Sequence, residues 1–199
     1  MAKEKDDARE KTQPVNRLPS LKEIKEISAK IRKNFPDVSD DWIRRLVSAL
    51  LSGQFKWNFL KKHPAPHSVT DDEKLREYVL DLKKRLRVRG PAIGKVAYDG
   101  RMSQDEFLLG QKQKRPPAAP KKKARKKADI LVSSKLKRAP LAFLEHVVVH
   151  EFAHFKETEH DKRFQDLCAA MQPGFLEIEI DLLWFLFYKD LMKEDLYGE

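Results

Sequence analysis

The sequence predicts an α+β fold in which helices predominate. Apolar residues recur at helical spacing through residues 20–87 and again beyond residue 140. Two short runs that carry β-branched residues, at 92–98 and 130–136, have the composition of strands. Hydrophobic side chains make up 41% of the 199 residues, so the chain has enough apolar surface to build a real core.

The first three predicted helices begin at residues whose side chains are suited to capping. Ser20 and Thr70 each precede a Glu by three residues, and this capping box satisfies free backbone donors at a helix start. Ser39 is expected to begin the second helix in the same way, without the Glu. Together these helices are predicted to form an N-terminal helical accessory region over residues 20–87.

Residues 88–199 are predicted to form a second domain, and residues 1–19 a disordered tail, because the tail mixes charges and has no apolar run. Pro140 suits the first turn of the helix that follows the second strand. Within the second domain we expect strands over 92–98 and 130–136, then helices over 140–157, 161–171 and 175–196.

The net charge of +10 comes from one segment. Nine Lys or Arg and no acid lie between residues 112 and 127, which leaves 32 basic against 31 acidic residues elsewhere. Three prolines and the like charge oppose packing, so residues 111–128 are predicted to be a flexible basic insertion. The segment is either a solvated loop or a contact for an anionic partner such as nucleic acid, a nucleotide or an acidic protein. The side chains that would make this contact are Lys121, Lys122, Lys123, Arg125, Lys126 and Lys127.

Composition excludes several classes of protein. Cys168 is the only cysteine, which excludes a disulfide scaffold, a thiolate-rich zinc finger and an iron–sulfur protein. No apolar run approaches the roughly 20 residues that cross a bilayer, so no membrane partner is expected. The N-terminus lacks the apolar stretch of a signal peptide, and a cytoplasmic location is expected.

One motif carries the chemistry, a His-Glu-x-x-His that begins at His150 and ends at His154. Residues four apart lie one turn apart on the same face of a helix, so both imidazoles can bind one metal ion. Glu151 lies beside the first ligand, where a carboxylate can accept a proton from metal-bound water. His160, six residues after the motif, is a candidate third ligand. Three protein ligands and one open position are what a catalytic zinc site requires.

Other interpretations of the histidines stay open. Histidines four apart on a buried helix can be hydrogen-bonded core residues or the relic of a lost metal site. His146 lies one turn before His150, but three consecutive turns of a straight helix do not converge easily on one ion, so we expect His146 to be structural or to support a ligand. A structural zinc site would need a fourth protein ligand, for which Cys168 is the soft candidate. His63 and His67, in a Pro-rich loop, are expected to be solvated.

Residues 147–164 resemble the core of the YgjP-like metallopeptidase family. The family's pattern is Val-Val-His-Glu-Leu-x-His, five residues, His, and a polar stretch that ends in Phe. Residues 148–164 of this chain read Val-Val-His-Glu-Phe-Ala-His, five residues, His, and a polar stretch that ends in Phe. The Ala-Pro at 139–140 resembles the entry to the family's active-site helix. The resemblance spans about residues 130–172 and implies a zincin-like fold with a small sheet packed on the active-site helix. By position it implies the zinc ligands His150, His154 and His160 and the catalytic base Glu151.

The ligand spacing is also similar to that of the Wss-like (WLM) and SprT-like proteases, which act on proteins crosslinked to DNA. Metzincins share the spacing but have Gly where this chain has Glu157, so we reject that family. The YgjP-like family usually carries Arg-Trp-Gly-Ser-Cys before the second strand, where this chain has its Lys, Arg and Pro run at 111–127.

These observations favour a zinc-dependent metallopeptidase that acts on a peptide or protein substrate. YgjP-like proteins have also been assigned nucleotide pyrophosphohydrolase activity, so a phosphoanhydride is the alternative scissile bond at the same metal and base. A DNA-associated protease is a further alternative, in which the basic segment would hold nucleic acid. The non-enzymatic alternative is a nucleic-acid-binding protein with a structural zinc ion.

Overall fold

The computed structural model describes residues 20–100 and 127–198, so the predictions for the tail at 1–19 and for 111–126 of the basic segment lie outside the described residues. The described chain is α+β, as predicted, with seven helices and a two-stranded parallel sheet. The elements in order are α1 (Leu21–Asn34), α2 (Asp40–Leu51), α3 (Gln54–Lys62), α4 (Asp72–Arg85), β1 (Ile93–Asp99), β2 (Ala128–Ser133), a 3-10 turn (Ser134–Leu136), α5 (Leu141–Ala153), α6 (Lys162–Met171) and α7 (Phe175–Met192).

Side-chain caps explain where the N-terminal helices begin. The capping box at Ser20 is present, and Ser39 caps α2, as predicted. For α4 the predicted cap is wrong by one residue, because Asp71 and not Thr70 accepts the hydrogen bond from the backbone N–H of Lys74, at 2.9 Å. A carboxylate at this position also interacts favourably with the positive end of the helix dipole.

The sequence predicted no helix between the one that starts at Ser39 and the one that starts at Thr70, but a further helix, α3, directly follows Gly53. The φ angle of Gly53 is 76°, a left-handed conformation that glycine adopts without strain. The ring of Phe55 stacks on that of Phe59 with centroids 6.3 Å apart, and Phe59 is buried. An aromatic pair four residues apart therefore forms the inner face of this short helix.

Contacts divide the described chain into two compact units, and the first comprises residues 20–64 and 189–198. In this unit α2 packs against both α1 and α3. The hydroxyl of Tyr197 donates a hydrogen bond to the carbonyl oxygen of His63 at 3.0 Å, which ties the C-terminal segment to the end of α3. The buried apolar side chains of the three helices are Ile27, Ile31, Ile43, Val47, Leu50 and Phe59.

The second unit comprises residues 65–100 and 127–188, and α5 lies in its core. Eight of the thirteen residues of α5 are buried, as is typical of a helix that is covered on all sides. β2 and α6 both contact α5, and α4 packs on β1. The domain boundary predicted at residue 87 assigns α4 to the accessory region, whereas the contacts include it in the second unit; the division into domains stays a prediction.

The two strands pair in parallel, with Val96 opposite Ile130 and Asp99 opposite Ser133. The second strand is shorter than the predicted 130–136, because the hydroxyl of Ser133 accepts a hydrogen bond from the backbone N–H of Lys135 at 3.4 Å and the chain turns there. The predicted flexible insertion also ends earlier than residue 128, since β2 begins at that position.

The helix that carries the His-Glu-x-x-His motif is shorter than predicted. It ends at Ala153 instead of about Glu157, with His154 as its C-cap. The next two backbone N–H groups bond three residues back instead of four, which tightens the chain out of the helix. α7 likewise ends at Met192 instead of residue 196. Within the described residues, no helix combines the length and the hydrophobicity that crossing a bilayer requires.

Candidate metal centre

The end of α5 brings His150 and His154 together. Both side chains lie on one face of the helix, and their Nε2 atoms are 3.1 Å apart. The planes of the two rings are inclined by 80°, so the rings meet edge to face. This is the arrangement that the spacing of four predicts.

The loop between α5 and α6 adds His160 to the pair. The Nε2 atom of His160 is 3.1 Å from that of His150, and the candidate ligand nitrogens of all three histidines lie within 4.8 Å of one another. The tight exit from α5 at His154 and the start of α6, where Asp161 is the N-cap, set the length of this loop. The structure therefore brings together the three histidines that the sequence predicted, and they form a group that could hold a metal ion.

The donor set fits zinc in chemistry and in dimensions. Two nitrogens bound to one tetrahedral zinc ion at 2.0–2.1 Å are about 3.4 Å apart, close to the 3.1 Å that separates Nε2 of His150 from Nε2 of each of the other two histidines. Burial, and then the neighbouring His154 and His160, lower the pKa of His150 to about 3, which favours the neutral ring that a metal requires. A single proton can bridge only one pair of these nitrogens, whereas a cation can accept a lone pair from each.

A backbone carbonyl orients His154 for this role. The Nδ1 atom of His154 is 3.0 Å from the carbonyl oxygen of Glu157. Because a carbonyl oxygen can only accept a hydrogen bond, Nδ1 carries the ring proton and the lone pair of Nε2 points into the histidine cluster.

Neither of the two other side chains considered from the sequence joins this donor set. Cys168 is fully buried in α6, and burial and then Glu179 raise the pKa of its thiol to about 12. His146 is buried, and its ring stacks on that of Phe175 with centroids 4.0 Å apart. In the described part of the chain, no fourth His, Cys, Asp or Glu closes the set, as a structural zinc site would require.

Glu151 follows His150 in α5 and has no compensating charge near it. Burial raises the pKa of its carboxyl to about 7. None of the described residues forms a hydrogen bond or an ion pair with this carboxylate. A group with this pKa can both take up and release a proton near neutral pH.

From the sequence, no role was assigned to two side chains that lie near the histidines. Phe164 ends the polar stretch of the motif, and its ring contacts all three imidazoles. Glu179 lies on α7 and interacts electrostatically with His160. The available signal for Glu179 was an acidic residue at helical spacing between the apolar residues Phe175 and Leu182.

The structure describes one of the six basic side chains named as candidate anion contacts. Lys127 is exposed and lies next to Gly94 of β1, outside the histidine cluster. The other five lie outside the described residues. His67, predicted to be solvated, is instead buried, and its Nδ1 accepts a hydrogen bond from the backbone N–H of Val69 at 3.1 Å.

Comparison with known proteins relates the chain to one family. The YgjP-like metallopeptidase domain model matches residues 123–182, a range that includes the three histidines and Glu151. A UTP pyrophosphatase from Escherichia coli (strain K12) is 32% identical over 153 residues, which cover 76% of this chain and 89% of the relative. No solved structure matches the chain.

Proposed function

Because the chain belongs to the YgjP-like metallopeptidase family, we propose that it is a zinc-dependent hydrolase of nucleoside triphosphates that releases pyrophosphate. The observation that carries this proposal is the convergence of three imidazole nitrogens beside an uncompensated, half-buried carboxylate. A zincin-like fold, in which α5 is the active-site helix, and a cytoplasmic location are part of the proposal.

In this proposal His150, His154 and His160 hold the metal ion. When bound, the ion would supply a Lewis acid that stabilises negative charge on an oxygen of the reacting group and makes water more acidic. Three histidines leave one coordination position open for water or substrate.

Glu151 is the group that moves the proton. Its carboxylate takes the proton from the attacking water and passes it to the leaving oxygen as the phosphoanhydride bond breaks. A pKa near 7 suits both halves of this transfer, and the half-buried position keeps bulk water from competing for the proton. Because Glu151 and His150 are consecutive residues of one helical turn, the helix backbone fixes their positions relative to each other.

The substrate class is taken from the relative named a UTP pyrophosphatase, since the match covers most of both chains. A triphosphate also agrees with the excess of basic residues between 112 and 127. Peptide hydrolysis is the second candidate. The description of the matched family model favours it, and the same metal and base can act on an amide carbonyl.

The test is pyrophosphate release from UTP, CTP, ATP and GTP by zinc-loaded protein, with a peptide library assayed in parallel. We expect UTP hydrolysis to stop when a chelator removes the metal and to return when zinc is added. Glu151→Gln should retain zinc and lose at least about 100-fold in turnover. Glu77→Gln, which removes the same charge from an exposed position on α4, should leave turnover unchanged.

Two results would contradict the proposal. Full turnover by Glu151→Gln would show that Glu151 takes no part in the proton transfer. Cleavage of peptides without release of pyrophosphate from any triphosphate would make the second candidate the function of the site.

A further inference from the structure

Glu179 occupies a position on α7 where a charged side chain is unfavourable. Phe175, Glu179 and Leu182 follow one another at helical spacing on one face, and both apolar members of this set are buried. Glu179 itself is half-buried, whereas Glu177 and Ile180 on the other side of the helix are exposed. Placing a carboxylate on a core-facing position costs free energy unless a partner compensates it.

The groups around Glu179 belong to the elements that build the histidine cluster. Phe175, one turn before Glu179, stacks on His146, which lies one turn before His150 in α5. Burial raises the pKa of the Glu179 carboxyl, and His160 opposes that rise. Glu179 also raises the pKa of the Cys168 thiol, and Cys168 lies one turn after Phe164 in α6.

His160 is the histidine that most needs an additional support. It comes from a loop and is exposed, and its Nε2 faces His150 at 3.1 Å, so its Nδ1 faces away from the cluster. The matching Nδ1 of His154 is held by the carbonyl oxygen of Glu157. Among the described residues, nothing forms a hydrogen bond with Nδ1 of His160 or with the carboxylate of Glu179.

Glu179 is not itself a member of the donor set, because the atoms that lie within 4.8 Å of one another are those of the three histidines. It is therefore a neighbour of His160 that lies outside the group of candidate ligands. A histidine that binds a metal characteristically donates its other ring N–H to a carboxylate or a carbonyl, which fixes the ring and raises its basicity.

We propose that Glu179 is a positioning residue of the metal centre, whose carboxylate accepts the Nδ1–H of His160 when the three histidines hold a metal ion, and so keeps that ring toward the other two histidines. This inference rests on the proposed function, since it takes the three histidines as ligands. Because Glu179 would act through His160, the inference predicts that the effects of changing the two side chains on zinc affinity are coupled.

The test is the affinity for Zn²⁺, measured by competition with a chromophoric chelator, in the full-length protein without substrate. We expect Glu179→Gln to weaken zinc binding 10- to 100-fold. Glu177→Gln, an exposed change on the same helix, should stay within about twofold of the parent. In a His160→Ala background the Glu179→Gln change should have no further effect, because the ring through which the carboxylate acts is absent.

Unchanged zinc affinity in Glu179→Gln would overturn the inference, and so would an equal loss with and without His160. Urea unfolding of the metal-free variants separates affinity from folding, because glutamine at a half-buried position should not reduce stability. Retention of zinc by His150→Ala and His154→Ala would overturn the proposed site together with this inference. Loss of zinc in those variants with full retention in Glu179→Gln would overturn this inference alone.

Discussion

Phe164 is the side chain on which all three histidines of the candidate centre pack. Its ring centroid is 4.9 Å from that of His150, 4.8 Å from that of His154 and 4.6 Å from that of His160. Phe164 is 2% exposed, so its own position is fixed by the core. A rigid aromatic ring in contact with each of the three histidines limits the rotation of the imidazoles and holds their nitrogens together.

We expect Phe164→Leu to weaken zinc binding about tenfold, because the aliphatic side chain retains apolar volume but does not reach all three rings. The matched control is Phe185→Leu, which removes a fully buried ring that contacts Phe143 in the same unit. Both changes should reduce the free energy of unfolding by about 1–2 kcal/mol. Equal zinc affinities of the two variants would mean that Phe164 is an ordinary core residue.

His146 shows a different use of a buried imidazole. Its ring stacks on Phe175, and its Nδ1 is buried without a hydrogen-bond partner among the described residues. Burial lowers the pKa of His146 to about 4, against an ordinary value of about 6.5. Between these two pH values the unfolded chain binds more protons than the folded chain, so the contribution of His146 to stability is lost as the pH falls from about 6.5 to 4.

The pH dependence of stability tests this assignment. Between pH 7.5 and pH 5.0 we expect His146 to account for about 2 kcal/mol of the fall in the free energy of unfolding. His146→Phe keeps an aromatic ring against Phe175 but cannot titrate, so its curve should be flatter by that amount in urea titrations of metal-free protein. The other histidines are present in both proteins, and His150, on which His146 acts electrostatically, has a pKa of about 3, below the measured pH range. Parallel curves for the two proteins would show that His146 is protonated as readily in the folded state.

At the scale of elements, the start of α6 determines where His160 lies. Asp161 is the N-cap, and its carboxylate accepts a hydrogen bond from the backbone N–H of Phe164 at 3.1 Å. The cap therefore fixes the first turn of α6 between His160 and the ring that supports it. Loss of the cap would loosen His160 and the ring that supports it at the same time.

We expect Asp161→Ala to reduce the free energy of unfolding by about 1 kcal/mol and to weaken zinc binding severalfold. Asp161→Asn is the matched control, because asparagine caps helices about as well as aspartate and removes only the charge. Chelator competition measures the zinc affinity of both variants, and urea titration measures their free energy of unfolding. If the asparagine variant loses as much zinc affinity as the alanine variant, the charge of Asp161 matters and the cap does not.

Elements with local signals were predictable, and elements that depend on distant contacts were not. Ser20 and Ser39 act on the backbone three residues away, so the starts of α1 and α2 follow from the sequence. α3 was missed because Gly53 provides no side-chain cap and reverses the chain by its φ angle. The early end of α5 was missed because an uninterrupted apolar pattern contains no stop signal.

The same distinction holds for the site. His150 and His154 follow from helical spacing, and a motif match placed His160 beside them. The electrostatic interaction of Glu179 with His160 depends on how α7 packs against α5, where Phe175 contacts His146. Because packing between helices depends on the fit of whole surfaces, a single sequence shows that Glu179 is acidic but not that it is near His160.

At the scale of the whole molecule, the excess positive charge and the candidate metal ligands lie in different parts of the sequence. The 32 basic and 31 acidic residues outside the segment 112–127 nearly cancel, so any attraction for an anionic substrate would come from that segment. Lys127, at the described end of the segment, is exposed and lies immediately before β2, which is followed by the 3-10 turn and then by α5, the helix of the candidate centre.

A charge-neutralised protein tests whether the segment attracts the substrate. The variant replaces the six basic residues of the segment by Ser, at Lys121, Lys122, Lys123, Arg125, Lys126 and Lys127. The control replaces six exposed lysines elsewhere by Ser, at Lys22, Lys25, Lys33, Lys61, Lys84 and Lys95. At low salt we expect the KM for UTP to rise about tenfold in the variant and about twofold in the control, with zinc content unchanged in both. Added salt should also raise the KM of the variant less steeply than that of the parent. Salt screens the attraction between the basic segment and the substrate, and the variant has less of this attraction to lose. Binding of a fluorescent DNA duplex, measured alongside, distinguishes a nucleotide contact from a nucleic-acid contact. If KM, its salt dependence and DNA binding all match the control, the segment is a spacer and the substrate is held by the neutral remainder of the chain.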